Sequence, residues 1–190
     1  MGFFLFAEIM KSFLSNPIER MLQGLVYWLA YRDVVSKNRV VEAVAVDEAF
    51  KILQMNIPTG YEIVREYPYK KIDSTFGNKH SDLAIVNAND ECECLIEFKL
   101  ADATNGGYIK DVDKLQPVKE AFHDIDCLVI VLYRKSCYID EPEKLVLPNG
   151  KARKKVLVIN KARIIIRRVF SALRSLISTK MKRVICIEVV

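Results

Sequence analysis

Two acidic side chains and a lysine lie at the ends of two neighbouring apolar segments. Glu97 and Lys99 end the run CECLIEFKL (92–100), and Asp82 begins the preceding run DLAIV. Because side chains alternate across a strand, Glu97 and Lys99 share one face of the second run. Its other face carries only apolar side chains, namely Cys92, Cys94, Ile96 and Phe98. Taken alone, the Glu–Lys pair indicates either a solvated ion pair or a chemical site.

Asp82 favours a chemical site. The turn-rich segment NANDE (87–91) separates the two runs, so antiparallel pairing can bring Asp82 beside the Glu97 end. Two carboxylates near a lysine offer hard oxygen ligands, which magnesium prefers. Glu42 falls on the apolar face of a predicted helix and is a third candidate carboxylate, with Glu48 in reserve. These residues predict a divalent-cation site.

The hydrophobic pattern predicts an α/β domain with a mixed sheet. Helical periodicity indicates helices over 17–36, opened by Asn16 and Pro17, and over 38–55. Apolar runs then indicate a meander of three strands, a helix interrupted near Pro117, and a strand buried on both faces. The expected positions are 61–69, 81–88 and 92–100 for the meander, 108–124 for the helix and 127–133 for the buried strand.

The last third of the chain is predicted to extend this sheet with further elements. We expect a hairpin between 144–146 and 155–159, a basic amphipathic helix that begins at Asn160, and a final strand over 184–190. No internal repeat or linker marks a boundary, so the 190 residues are predicted to form one domain. Its parts are the N-terminal helices in 1–37, a core at about 38–133 and a basic C-terminal extension at 134–190.

The chain resembles the PD-(D/E)XK nuclease superfamily, which has the restriction-endonuclease-like fold. Ser81-Asp82, fourteen residues and then Glu97-Phe98-Lys99 are similar to its motif, with Ser81 where the motif has proline. The predicted order of elements over 38–133 is also similar to that family's αβββαβ core. The resemblance implies this core, with a central mixed sheet flanked by helices, and a magnesium-dependent nuclease. The N-terminal helices and the basic C-terminal strand and helix would be additions.

The resemblance also implies a role for each matching residue. Asp82 and Glu97 would bind Mg²⁺, with the backbone carbonyl of Phe98 as a further ligand. Lys99 would orient or help to deprotonate the attacking water, and Glu42 would hold a water on the metal. The implied reaction is hydrolysis of DNA phosphodiester bonds by a magnesium-activated water, without a covalent intermediate. We expect Mn²⁺ to substitute for Mg²⁺.

Several side chains beside the motif are predicted to bind nucleic acid. Cationic and polar groups near such a site can contact the phosphates of the substrate. On a surface, most lysines do nothing specific, so solvated side chains are the alternative. The candidates are Lys79, His80, Lys110, Lys114 and Gln116.

The charge of the chain is unevenly divided. Residues 1–133 carry 14 basic and 20 acidic side chains, and residues 134–190 carry 15 and 4, so −6 and +11 sum to +5. A basic segment attached to an acidic remainder indicates a polyanionic partner, either DNA or RNA. A solvated helix face balanced by acidic neighbours explains the same division.

Composition excludes several classes of protein. With 51% apolar residues, 7 glycines and 6 prolines, global disorder is excluded. The five cysteines are scattered without a C-x-x-C pair, which predicts reduced thiols in a cytoplasmic, intracellular protein. The apolar runs are far shorter than the ~20 residues of a membrane span, and the start lacks the secretory pattern. We therefore expect no membrane contact.

Two alternatives to a nuclease stay open. One is a catalytically inactive nucleic-acid-binding protein on the same fold, and the other is a structural or assembly protein whose charge asymmetry builds a homo-oligomer. A homodimer is also expected for the nuclease, because nucleases of the family that it resembles often cut two strands as dimers. The helical segment 17–36 could supply the interface.

Overall fold

The computed structural model describes residues 12–35, 41–101, 108–138, 157–159, 162–173 and 180–190. The helices in these ranges are α1 (Ser12–Val35), α2 (Glu42–Gln54) and α3 (Ile109–Ala121), with single 3₁₀ turns at Tyr69–Lys71 and Ser74–Phe76. The strands are β1 (Tyr61–Pro68), β2 (His80–Asn87), β3 (Cys92–Ala101), β4 (Asp126–Tyr138), β5 (Leu157–Ile159), β6 (Ala162–Leu173) and β7 (Lys180–Val189).

These strands form one mixed sheet in the order β1-β2-β3-β4-β7-β6-β5. β1, β2 and β3 are the predicted antiparallel meander. β4 runs parallel to β3, and α3 makes the crossover that a parallel connection needs. β7, β6 and β5 complete the sheet with antiparallel pairs. The α/β class and the mixed sheet flanked by helices are thereby confirmed.

Helices cover both faces of the sheet. α1 and α2 pack on one face through buried residues such as Leu25 and Leu53, which we call the first core. α3 packs on the other face through Val112 and Leu115, which belong to the second core. Side chains of β4 alternate between the two cores. Leu128, Ile130 and Leu132 lie in the first core. Cys127, Val129 and Val131 lie in the second core. This explains the unbroken apolar run that predicted a strand buried on both faces.

The helix α3 continues through Pro117, so the predicted interruption is wrong. Proline removes the hydrogen bond to the carbonyl four residues earlier, at Asp113. Asp113 and Pro117 are both exposed, so water can reach that carbonyl. Beyond the proline, the buried Lys119 ammonium donates to the backbone carbonyls of His123 at 2.6 Å and Ile125 at 3.1 Å. These two bonds fasten the C-terminal end of α3 to the chain that leads into β4.

The described part of α1 already begins at Ser12, so Asn16 and Pro17 lie inside the helix and do not open it. The apolar face extends N-terminal to the proline through buried Leu14, which explains the earlier start. The Asn16 side chain accepts a hydrogen bond from Arg20 at 3.1 Å instead of capping the helix.

None of the helices in the described ranges has the combined length and apolar character needed to cross a bilayer.

The C-terminal helix predicted from Asn160 is wrong, because residues Ala162–Leu173 form the strand β6. The run Ile164-Ile165-Ile166 is β-branched, and such residues fit a pleated strand better than a helix. β6 pairs with β7 along its length and with β5, which covers residues 157–159 of the predicted segment 155–159. The segment 144–146 lies outside the described residues.

One face of β3 also differs from the prediction. Cys94, Ile96 and Phe98 lie in the first core as expected, whereas Cys92 contacts the second core. The cause is a register shift: Ile85 pairs with Cys94, but the next residue of β2 pairs with Cys92. The extra residue in β3 reverses the alternation at that point.

The close packing of α1 on α2 can be tested at Gly24. A Cβ at this position would lie 2.7 Å from Ile52 Cδ1. We expect Gly24→Val to lower the free energy of unfolding in urea by about 1–3 kcal/mol, because it overpacks the contact. The control Gln23→Val, at an exposed neighbour on the same helix, should change it by less than about 0.5 kcal/mol. Equal losses in both variants would contradict a steric constraint at Gly24.

Candidate active site

The candidate site lies where the ladder between β2 and β3 ends. Leu83 opposite Ile96 is the last pair of that ladder, and one more step in the same register places Asp82 opposite Glu97. There, Asp82 Oδ2 accepts the backbone N–H of Phe98 at 2.6 Å. Register and alternation put Asp82 and Glu97 on the same face, the one covered by α3. The Phe98 side chain is buried in the first core, so only its backbone is near the site.

Glu97 is a buried carboxylate held by two donors. It is 3% exposed, and its Oε1 accepts from the Tyr69 hydroxyl at 2.6 Å and lies 2.7 Å from Lys114 Nζ. Burial raises the pKa of Glu97 from its ordinary value of 4.5 to about 7. The hydrogen bonds from Lys114 and Tyr69 lower this pKa but do not cancel the effect of burial. The alternative of a solvated ion pair between Glu97 and Lys99 is therefore not supported, because Glu97 is buried and pairs with Lys114 of α3.

Lys99 pairs with Glu42 at the start of α2. The Lys99 Nζ lies 3.6 Å from Glu42 Oε2, and the same oxygen accepts the backbone N–H of Leu100 at 2.9 Å. Glu42 is the first residue of α2 and half-buried, so it reaches β3 without lying in the apolar core. The reserve candidate Glu48 makes a different contact: its Oε2 lies 3.9 Å from Lys51 Nζ within α2. Of these two acidic residues of α2, Glu42 is the one that contacts Lys99 and the backbone of β3.

An open cleft of about 270 Å³ connects Asp82 with α2 and β1. Its walls include Glu42 and Glu66, and both carboxylates add to the rise in the Asp82 pKa that burial chiefly causes. Glu66 has a φ of 48°, in the left-handed region that non-glycine residues rarely adopt. Along β1, Ile63 lies in the first core but Tyr67 in the second, so the alternation of β1 breaks between them. The sequence carries no signal for this, and Glu66 was missed.

Asp111 on α3 is a second residue that sequence reasoning missed. Its Oδ2 is buried and has no hydrogen-bond partner within the described part of the chain. Burial raises its pKa, Lys99 and Lys114 lower it, and Glu42 and Asp82 raise it further. Asp111 therefore lies among the predicted site residues, three positions before Lys114 on the same turn of α3. The sequence alone does not distinguish Asp111 from Asp113, which lies two residues later and is exposed.

The predicted nucleic-acid-binding residues divide into two groups. Lys79, His80 and Lys110 are exposed, which suits contact with a large partner. Lys114 instead belongs to the site, where it contacts Glu97 and donates to the backbone carbonyl of His80. Gln116 donates to Glu120 at 2.8 Å, along α3 and away from Glu97.

The oxygen donors of the site suit a hard dication, although no cage is preformed. Among the residues that the structure describes, no three histidine, cysteine, aspartate or glutamate side chains are grouped so as to hold a metal ion. Asp82, Glu97 and Glu42 therefore do not form a closed set of ligands, and the predicted convergence of these three acids on one cation is not present. Mg²⁺ often takes one or two carboxylates and completes its shell with water and phosphate. The orphaned Asp111 oxygen and the raised pKa values of Asp82 and Glu97 fit a site that a cation would stabilise.

Comparison of the chain with protein-family models, with curated proteins and with solved structures found no match.

The buried carboxylates predict an unusual dependence of stability on pH. Because the folded pKa of Glu97 is raised from 4.5 to about 7, the folded state binds more protons than the unfolded state between these values. The free energy of unfolding should then fall as the pH rises from 4.5 to 7 in EDTA, by an amount on the order of 3 kcal/mol from Glu97. Asp82 and Asp111, whose pKa values are also raised, act in the same direction.

Urea unfolding at several pH values tests this prediction. Glu97→Gln removes the titrating group, so its stability should decline much less over that pH range than that of the wild type. The matched control Glu48→Gln changes a carboxylate outside the site and should keep the wild-type decline. A wild-type stability that rises from pH 4.5 to 7 would contradict the assigned burial of Glu97.

Proposed function

We propose that this protein is a magnesium-dependent nuclease that hydrolyses DNA phosphodiester bonds, on a restriction-endonuclease-like αβββαβ core. The observation that carries the proposal is that Asp82 and Glu97 follow the last pair of the β2–β3 ladder on the same face, with Lys114 in contact with Glu97 and Lys99 in contact with Glu42. The sequence α2-β1-β2-β3-α3-β4 supports it, since this is the order of elements that the motif resemblance implies. Clusters of buried groups with shifted pKa values are typical of functional sites.

In this mechanism the side chains of the chain hold and orient the reactants. Asp82 and Glu97 present carboxylate oxygens from adjacent strands, and Mg²⁺, when bound there, offsets phosphate charge and makes water easier to deprotonate. Lys99 stabilises the negative charge that builds on the phosphate and orients the attacking water. Glu42 holds Lys99 in place and is itself fixed by the N–H of Leu100.

The exposed basic residues at the edge of the site would guide the substrate. Lys79, His80 and Lys110 lie within three residues of Asp82 or Asp111 in the sequence. Contacts from such side chains to phosphates position a nucleic acid without reading its sequence. They fit DNA and RNA alike, so the assay compares the two polymers.

The proposal predicts that supercoiled plasmid is nicked or linearised in Mg²⁺, with Mn²⁺ as a substitute, and is intact in EDTA. Lys99→Ala should lower the cleavage rate by at least about 100-fold, because it removes a charge that acts on the transition state. The control Lys70→Ala removes an exposed lysine on the 3₁₀ turn and should cleave like the wild type. Cleavage is followed on agarose gels, in parallel with an RNA of equal length.

Wild-type activity in Lys99→Ala would contradict the assigned role of Lys99, and activity in EDTA would contradict the need for a metal.

A second candidate function is a nucleic-acid-binding protein without catalysis. It is favoured by the absence of a grouped set of three metal-binding side chains among the described residues. In that case binding is sensitive to salt, but no nicking occurs at any Mg²⁺ concentration.

The homodimer stays a prediction. On α1, Tyr27 and Tyr31 are 61% and 64% exposed and lie one helical turn apart, which is the kind of surface that a partner copy would cover. Sedimentation velocity at increasing protein concentration checks it. A monomer at all concentrations would contradict the dimer and leave the nuclease proposal intact.

A further inference from the structure

Among the residues that the structure describes, the contacts of Glu97 use only one of its two oxygens. Oε1 accepts from the Tyr69 hydroxyl and contacts the Lys114 ammonium, and neither contact uses Oε2. Two donors on one oxygen fix the rotation of a carboxylate, because turning it would break both bonds. Oε2 is thereby the oxygen left for a ligand.

The donor Tyr69 is itself held rigidly. Its side chain is 0% exposed, and Lys114 Nζ lies 5.4 Å from the centre of its ring. Its backbone N–H donates to the carbonyl of Lys79 at 2.8 Å, and its own carbonyl accepts from Ile72 at 2.9 Å and Asp73 at 3.1 Å. A tyrosine fixed at its backbone and at its ring can place a hydroxyl with little freedom.

We propose that Tyr69 is a positioning residue of the nuclease site, which orients Glu97 so that its Oε2 faces the catalytic cation. The inference rests on the proposed function, since it assigns Tyr69 a part in cation binding at that same site. Tyr69 touches neither the cation nor the substrate and acts through Glu97. Partners that orient metal ligands typically contribute 10–100-fold to metal affinity or activity.

A purely structural role for Tyr69 makes a different prediction. The hydroxyl would then contribute to stability through its buried hydrogen bond, and its removal would leave the affinity for the cation unchanged. Measuring cation affinity and folding stability on the same variants separates the two roles.

The test is direct Mn²⁺ binding to the full chain, followed by the electron paramagnetic resonance signal of free Mn²⁺ without nucleic acid. Tyr69→Phe keeps the ring and removes the hydroxyl, and we expect it to weaken Mn²⁺ binding by about 10-fold or more. The matched control Tyr67→Phe removes the hydroxyl of another buried tyrosine, two residues earlier, and should bind like the wild type. Circular dichroism and urea unfolding check that each variant is folded.

A double-mutant cycle tests the route through Glu97. In a Glu97→Gln background, adding Tyr69→Phe should cause no further loss of Mn²⁺ affinity, because the carboxylate that Tyr69 orients is gone. If Tyr69→Phe does not fold, Glu97→Asp replaces it, since the shorter side chain withdraws the carboxylate from the hydroxyl. Wild-type affinity in Glu97→Asp would then overturn the proposal.

The outcomes distinguish this inference from the proposed function. If the wild type binds Mn²⁺ and cleaves DNA while Tyr69→Phe binds Mn²⁺ equally tightly, the positioning role is overturned and the nuclease stands. An additive loss in the Glu97→Gln background also overturns it. If the wild type does not bind Mn²⁺ at millimolar concentration, the cation site fails and both proposals are overturned.

Discussion

The antiparallel register of β2 and β3 is the constraint on which the rest of the site depends. It places Asp82 opposite Glu97, and just beyond the last pair of residues the Asp82 carboxylate accepts the Phe98 N–H. A register shifted by one residue would turn Glu97 into the first core. The apolar alternation Cys94, Ile96 and Phe98 secures the register, so the packing of α1 and α2 on one face determines which acids face α3 on the other.

The site brings together groups that do not favour folding. Asp82, Glu97 and Asp111 all have raised pKa values because burial penalises their charged forms, and Asp111 leaves an oxygen without a partner. Two lysines offset part of this cost. Burial of the large apolar cores on both faces of the sheet offsets the unfavourable free energy of burying these carboxylates. Side chains that destabilise the fold at their own positions are expected at functional sites, so a functional role explains these carboxylates better than a structural role.

Much of this arrangement could be predicted from sequence periodicity. The meander, α3 and β4 follow from local patterns, and alternation alone places Glu97 and Lys99 on one face. The partners of these residues could not be predicted, since Lys114 and Tyr69 reach Glu97 only through the packing of α3 and the turn after β1. The strand β6 was missed because its apolar residues also match helical spacing, and its pairing with β7 decides the outcome. Tertiary contacts, unlike local pattern, leave little trace in one sequence.

The attachment of α3 has a mechanical consequence. Its C-terminal end is tied to the segment just before β4 by the Lys119 ammonium, which donates to the carbonyls of His123 and Ile125. Lys114 and Asp111 lie toward the other end of the helix, nearer its beginning at Ile109. Near that beginning, the helix is also held by Lys114, which contacts Glu97 and donates to the backbone carbonyl of His80. Because one rigid helix carries both Lys114 and Asp111 and is anchored near both ends, the backbone that leads into β4 and the carboxylate–lysine pair at Glu97 share a single mechanical support.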